Sequence, residues 1–115
     1  MNYYFYRDYY LIDLSYLKKR LIQIPVEVGR LKRLTKFEVR NTQNLKAFHP
    51  DLHFTTIPKL ISLVLISCKI EKLPESLGSL VNLTHLRVND CQLRDLPESI
   101  GKLQSLQSLS LDLHR

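Results

Sequence analysis

Apolar residues recur along the chain in a pattern that returns about every 23 residues. The clearest copies read L-x-x-L-x-L-x-x-C-x-I over residues 60–70 and L-x-x-L-x-V-x-x-C-x-L over residues 83–93. Related copies start at Leu11, Leu34 and Leu106, so the five starts are separated by 23, 26, 23 and 23 residues. A self-similar period of about 20 to 50 residues indicates repeats that stack into one continuous core.

A second pattern lies between these copies and keeps the same register. Residues 73–80 read L-P-E-S-L-G-S-L, residues 96–103 read L-P-E-S-I-G-K-L, and residues 24–31 read I-P-V-E-V-G-R-L. All three glycines of the chain occupy one position of this pattern. Each repeat therefore has two halves, one patterned as a strand and one that returns the chain to the next strand.

These two motifs resemble those of the leucine-rich-repeat family, over about residues 11–115. The L-P-x-x-I-G-x-L form is similar to the intracellular class found in plant Ras-group and immune-receptor repeats, animal Ras-suppressor scaffolds and bacterial effectors. The resemblance implies an α/β fold: a right-handed solenoid with a short parallel sheet on its concave face and short helical turns on its convex face. It also implies a domain of rungs that start at residues 11, 34, 60, 83 and 106.

Alternate residues of each short strand should point to opposite faces of the sheet. We therefore expect Leu63 and Leu65 to point inward, as do the matching pairs Leu86 with Val88 and Phe37 with Val39. In the return half, Pro74 and Pro97 suit the first position of a helical turn. Gly78 and Gly101 are predicted to end that turn in a left-handed conformation. Leu77, Leu80, Ile100 and Leu103 should close the core from the convex side.

Three segments depart from the repeat. Residues 1–10 form an aromatic N-terminal segment that either caps the first rung or is poorly ordered. The rung from Leu34 has three additional residues, one before Leu45 and two after Phe48, which predicts a convex bulge or a longer helical turn. The bulge offers a secondary contact site at His49, Pro50, Asp51 and His53, although loop drift between repeats also explains it. The chain stops at Arg115 inside a repeat, which suggests a fragment of a longer array or an edge that pairs with another chain.

Composition and charge narrow the class of protein. The net charge of +6 favours acidic partners in general, but the basic residues are dispersed and lack a recognition motif, so we expect no nucleic-acid binding. No stretch is apolar enough to insert into a membrane, and residues 1–10 do not read as a secretory signal. Two cysteines are too few for a disulfide framework, which favours a reducing, cytoplasmic location.

The residues with reactive side chains have structural explanations. His49 and His53 lack a third metal ligand, so surface histidines are the better interpretation and no cofactor is predicted. Cys68 and Cys91 are 91 − 68 = 23 residues apart and therefore occupy the same position on adjacent rungs. The distance between adjacent strands does not exclude a disulfide, but two stacked, buried thiols are the favoured interpretation. Glu75 and Glu98 follow prolines, where an acidic residue favours the start of a helical turn. The chain is therefore not expected to be an enzyme.

The predicted binding surface is the concave face, whose exposed positions flank the inward leucines. Val64 and Ile66 should form an apolar centre surrounded by Arg40, His85 and Arg87, an arrangement typical of protein interfaces. Exposed apolar residues on strands are also common without function. The predicted partner-binding residues are Lys36, Glu38, Arg40, Val64, Ile66, His85, Arg87 and Asn89. The other expected face positions are Asp13, Ser15, Leu17, Ser62, Ser108, Ser110 and Asp112.

The leading hypothesis is a protein–protein interaction module with a role in signal transduction, as part of a signalling scaffold, an immune-type receptor or an effector. Such a module would bind its protein partner through a pre-organised concave face. The alternative is a structural element that self-associates through the open C-terminal edge near Leu106 to Leu113. Enzymatic activity would require a domain that this sequence does not contain.

Overall fold

The computed structural model describes residues 11–13 and 21–114 of the chain. It contains seven strands: β1 (Leu11–Asp13), β2 (Gln23–Ile24), β3 (Lys36–Thr42), β4 (Ala47–Phe48), β5 (Ser62–Cys68), β6 (His85–Asn89) and β7 (Ser108–Leu111). Four short 3-10 helices complete it, at Val26–Arg30, Phe54–Thr56, Glu75–Ser79 and Glu98–Lys102. The interpretations of residues 1–10, Ser15, Leu17 and Arg115, and that of the Asp13 side chain, lie outside what the structure describes.

The described strands form a five-stranded sheet in the order β1-β3-β5-β6-β7, and β2 pairs with β4 beside it. Every pairing is parallel. Lys36 pairs with Ser62, Ser62 with His85 and His85 with Ser108, so the predicted register of four rungs is confirmed. Stacked parallel strands joined by short 3-10 turns fit a leucine-rich-repeat solenoid.

Inward-pointing residues from successive rungs form one core. The columns Phe37-Leu63-Leu86 and Val39-Leu65-Val88 are 0 to 2 % exposed. Leu77 and Leu80 close the core on the other side and are fully buried, whereas Ile100 and Leu103 are only partly buried. The predicted inward positions are therefore confirmed, and burial becomes less complete in the last rung.

The prolines and glycines act differently from the sequence prediction. Pro74 and Pro97 precede the helical turns as N-cap residues with extended ψ angles, and their carbonyls accept the first hydrogen bonds of the turns. Among the described residues no glycine has a positive φ, so the left-handed prediction for Gly78 and Gly101 is wrong. A Cβ at Gly78 would lie 2.4 Å from the carbonyl oxygen of Ser99, and the glycine therefore permits close approach of the next rung.

The first strand also departs from the predicted register. The repeat pattern places Leu14 beside Phe37, an offset of 23 residues, but in the structure Ile12 pairs with Phe37, an offset of 37 − 12 = 25. Apolar residues stand close together at 11, 12 and 14, so the sequence alternation does not define one register there.

The rung that starts at Leu34, which has three additional residues, contains an additional strand pairing. Its helical turn is shorter than those of the other rungs. Gln23 pairs with Ala47, an offset of 47 − 23 = 24, which agrees with one additional residue before Leu45. The following 3-10 helix has three residues, against five in the other turns, so the suggested longer helical turn is wrong. The two residues inserted after Phe48 instead contribute to a turn around Pro50 and Asp51.

Candidate functional site: the open face of the sheet

The eight predicted partner-binding residues lie on three neighbouring strands, β3, β5 and β6. Their register forms three rows across the sheet: Lys36-Ser62-His85, Glu38-Val64-Arg87 and Arg40-Ile66-Asn89. These positions alternate with the buried leucine columns, so they occupy the sheet face opposite the core. We call this surface, with Ser62 and the β7 residues Ser108 and Ser110, the open sheet face.

The polar side chains of the open sheet face are linked to one another. Arg87 donates from Nε to Oδ1 of Asn89 at 2.7 Å, and the Ser110 hydroxyl donates to the same oxygen at 3.2 Å. Arg40 Nη2 lies 3.8 Å from Glu38 Oε2. The 2.7 Å hydrogen bond orients the Arg87 guanidinium and reduces the conformational entropy that this side chain would lose on binding.

His85 is oriented by the residue that precedes it in the chain, Thr84. Its Nδ1 lies 2.7 Å from the hydroxyl of Thr84, which also donates to the carbonyl of Ile61 at 3.2 Å. Because a hydroxyl has one proton, His85 Nδ1 must carry hydrogen and donate when the Thr84 proton points to Ile61. In that tautomer Nε2 carries no hydrogen and is the acceptor atom of the ring.

The apolar centre of the open sheet face is smaller than predicted. Val64 is 8 % exposed, so its expected exposure is wrong. Its register neighbours are Glu38 and Arg87, whose long side chains flank it. Ile66 is partly exposed and is therefore the apolar residue of this set that a partner can contact.

A row of left-handed turn residues at the ends of the strands was not anticipated. Asn41, Ser67 and Asp90 have φ values of 57°, 56° and 52° and precede Thr42, Cys68 and Cys91. The Ser67 hydroxyl donates to Oδ2 of Asp90 at 2.8 Å, and Asp112 Oδ2 accepts from the Asp90 backbone amide at 3.3 Å. A signal existed in the sequence, since small polar residues, which tolerate this conformation best after glycine, recur one position before the Thr or Cys.

The predicted secondary contact site lies beside a cleft of about 460 Å³. His49, Pro50 and His53 line it from the enlarged rung, and Lys72 and Glu75 face them from the next rung. His49 Nδ1 accepts a hydrogen bond from the Asp51 backbone amide at 3.0 Å, which leaves its hydrogen on Nε2 when the ring is neutral. No group of three metal-ligating side chains occurs among residues 21–114, which is where the histidines lie.

The two cysteines form a buried contact immediately beyond the binding residues. Their sulfur atoms are 3.0 Å apart and both thiols are free. The hydrogen bond between the two thiols, in which either sulfur can donate, raises the pKa of Cys68 and lowers that of Cys91. Glu75 and Glu98 are exposed in the first turns of their 3-10 helices, as predicted.

Comparison with known proteins supports the fold. A solved leucine-rich-repeat protein from Leptospira interrogans is similar to this chain, with a TM-score of 0.57 and 28 % sequence identity. The similarity covers 91 % of this chain and 31 % of that protein, so the chain spans about a third of the length of its neighbour. No protein-family model and no curated protein matches the sequence. In the part of the chain that is described, no helix has the length and apolarity required to span a membrane.

Proposed function

We propose that this chain is a non-catalytic protein-binding module that holds its partner on the open sheet face. Eight chemically mixed residues lie in consecutive register on three adjacent strands, on the sheet face opposite the core, and this arrangement supports the proposal. The similarity to a leucine-rich-repeat protein supports the same conclusion, because such solenoids generally bind other proteins.

The charges on the open sheet face indicate the chemistry of the partner. Lys36, Arg40 and Arg87 are exposed cations, and Glu38 is the acidic residue among the eight. A partner segment with carboxylates around one apolar side chain would complement the arginines and contact Ile66. Arginine is enriched in protein interfaces because its planar donor group pairs with carboxylates through two hydrogen bonds.

A charge reversal tests the proposed site. Arg87→Glu should weaken partner capture at least tenfold (about 1.4 kcal/mol) through like-charge repulsion, with an unchanged circular dichroism spectrum. Lys102→Glu is the matched control, because it makes the same charge change at an exposed position of a 3-10 turn. Capture from a lysate, quantified by mass spectrometry, measures the effect; equal loss in both variants, or in neither, would argue against the open sheet face.

The apolar contact requires a separate variant. Val64→Asp is unsuitable because Val64 is 8 % exposed and an aspartate there would destabilise the fold. Ile66→Asp changes the accessible apolar residue instead, and Ile22→Asp, at a position 60 % exposed, is its control. Only the Ile66 variant should lose the partner.

The handedness of the solenoid and the cellular location of the module are further parts of this proposal. We infer a right-handed solenoid of the intracellular L-P-x-x-I-G-x-L type whose open sheet face is concave, since parallel crossover connections are almost always right-handed. We also place the module in the cytoplasm, within a signalling scaffold, an immune-type receptor or an effector. Cell fractionation followed by identification of the captured partner tests location and pathway together.

Self-assembly is the second candidate function. It is favoured by β7, which forms one edge of the described sheet and carries Leu109 with 51 % of its surface exposed. An exposed apolar edge strand is a template for pairing with another chain. If the unmodified chain associates in sedimentation experiments, Leu109→Asp should abolish that association. An unmodified chain that stays monomeric at high concentration would exclude self-assembly.

A further inference from the structure

The contact between Cys68 and Cys91 has geometry that structural burial alone does not require. Cys68 ends β5, and Cys91 follows β6 by two residues. The two Sγ atoms face each other at 3.0 Å, and the residues are 3 % and 6 % exposed. Each cysteine is therefore the nearest reactive partner of the other, at the junction of two rungs.

Neighbouring contacts hold the two sulfur atoms in this position. The residues that precede them, Ser67 and Asp90, share a 2.8 Å hydrogen bond between adjacent rungs. The Cys91 thiol also lies 3.3 Å from the Asn89 carbonyl and 3.6 Å from the Leu65 carbonyl. Adjacent parallel strands are about 4.8 Å apart, within the range of Cα separations that a disulfide spans. A covalent bond of about 2.05 Å would require the sulfur atoms to close by only about 1 Å.

A small molecule can approach this junction from solvent. A recess of about 280 Å³ opens at the ends of the strands, and Cys68 forms part of its wall together with Ser67, Lys69 and Asp90. Cys91 does not line this recess; its Sγ lies 3.0 Å from that of Cys68, so peroxide that enters the recess has to pass the Cys68 side chain to reach it.

We propose that Cys68 and Cys91 are an oxidative modification site at which hydrogen peroxide converts two thiols into a disulfide between adjacent rungs. The Cys91 thiolate attacks one peroxide oxygen, the O–O bond breaks, and the leaving hydroxide takes a proton to become water. Cys68 then attacks the sulfur of the resulting sulfenic acid, the S–O bond breaks, and the second oxygen leaves as water with the Cys68 proton. Two thiols lose two electrons and peroxide gains them; thiols such as glutathione reverse the change by exchange.

The hydrogen bond between the thiols supports this order of attack. When Cys91 is a thiolate, the Cys68 thiol can donate to it, and this hydrogen bond lowers the pKa of Cys91 and favours the nucleophilic form. Thr42 provides the contrast within the same column: it pairs with Cys68 in register but carries a hydroxyl, so β3 cannot be joined to β5 by this reaction.

Peroxide titration of the purified chain tests the proposal without any binding partner. The intact mass should fall by two hydrogen atoms, both cysteines should resist alkylation under denaturing conditions, and dithiothreitol should restore them. Because the bond closes a loop of about 23 residues, Tm should rise by roughly 10 °C. Cys68→Ala and Cys91→Ala are the controls, and neither should show the mass loss or the increase in Tm. Thiols that stay open to alkylation, oxidation that stops at sulfinic acid, or a disulfide between two molecules would each overturn the proposal.

Discussion

The middle rungs and the last rung follow the same sequence pattern but differ in burial. Leu63 and Leu86, on β5 and β6, are 1 % exposed, whereas Leu109, at the same position on β7, is 51 % exposed. Gly78 closely approaches the next rung, and Gly101 has no atom within 4 Å of a built Cβ. Because the two rungs have the same pattern of residues, their different burial indicates that a rung is stabilised by the neighbour that covers it.

Truncation of the paired leucines should produce the largest contrast. Leu86→Ala removes a buried side chain between two rungs and should destabilise the fold by about 3 kcal/mol, from lost burial and the cavity that remains. Leu109→Ala should cost under about 1 kcal/mol, because half of that side chain already contacts solvent. Urea unfolding of both variants measures the difference, and equal destabilisation would refute a neighbour-dependent core.

Gly78 and Gly101 differ in the space that the next rung leaves for a side chain. Gly78→Ala should cost about 2 kcal/mol, because its Cβ would lie 2.4 Å from a backbone oxygen and 2.7 Å from the Cβ of Ser99. Gly101→Ala meets open space and has no positive φ, so it should be neutral or slightly stabilising. Thermal unfolding of the two variants is the measurement. If Gly101→Ala is destabilising, the backbone conformation of this position, and not contact with the next rung, requires glycine.

These glycines also mark the limit of inference from the sequence. The spacing of inward leucines predicts the register of β3, β5, β6 and β7, because every shift by one residue would expose the core side chains. The spacing of the glycines predicts that they share one position of the repeat. It does not predict why glycine is required at Gly78, because the close approach there is made by Ser99 of the next rung.

Burial within the candidate site was hard to predict for the same reason. Val64 is an outward position by alternation, yet it is only 8 % exposed, and its register neighbours are the long residues Glu38 and Arg87. The eight residues could be assigned to one face from the sequence, but their exposure depends on contacts across strands. The hydrogen bond from Arg87 to Asn89 likewise depends on side-chain conformations that a repeat pattern does not define.

Serine side chains connect the helical turns of adjacent rungs and give a smaller expected effect. Ser99 Oγ accepts from the Gly78 amide at 3.1 Å and donates to the Glu75 carbonyl at 2.7 Å. Ser99→Ala should therefore destabilise by about 1 kcal/mol, because a part-buried amide loses its acceptor. Ser108→Ala, at an exposed position of β7, should change stability by under about 0.5 kcal/mol. Chemical denaturation resolves the two, and an equal effect would exclude a role for the connection between rungs.

Thr42 should give the smallest effect and the opposite sign. Its hydroxyl is buried without a hydrogen-bond partner among the described residues, in the column that Cys68 and Cys91 continue. Thr42→Val keeps the shape and removes this cost, so it should stabilise the fold by up to about 1 kcal/mol. Thr84→Val is the control, since the Thr84 hydroxyl is hydrogen-bonded and partly exposed. A destabilised Thr42→Val variant would indicate that the hydroxyl has a partner.

Stacking buries one side of the sheet, and we propose that the open sheet face holds a partner. Photo-crosslinking distinguishes the two faces, with a photoreactive residue placed at Ile66 on the open sheet face or at Lys102 on a helical turn. We expect a crosslinked partner from position 66 and none from position 102. Crosslinking from position 102 with none from position 66 would contradict this proposal.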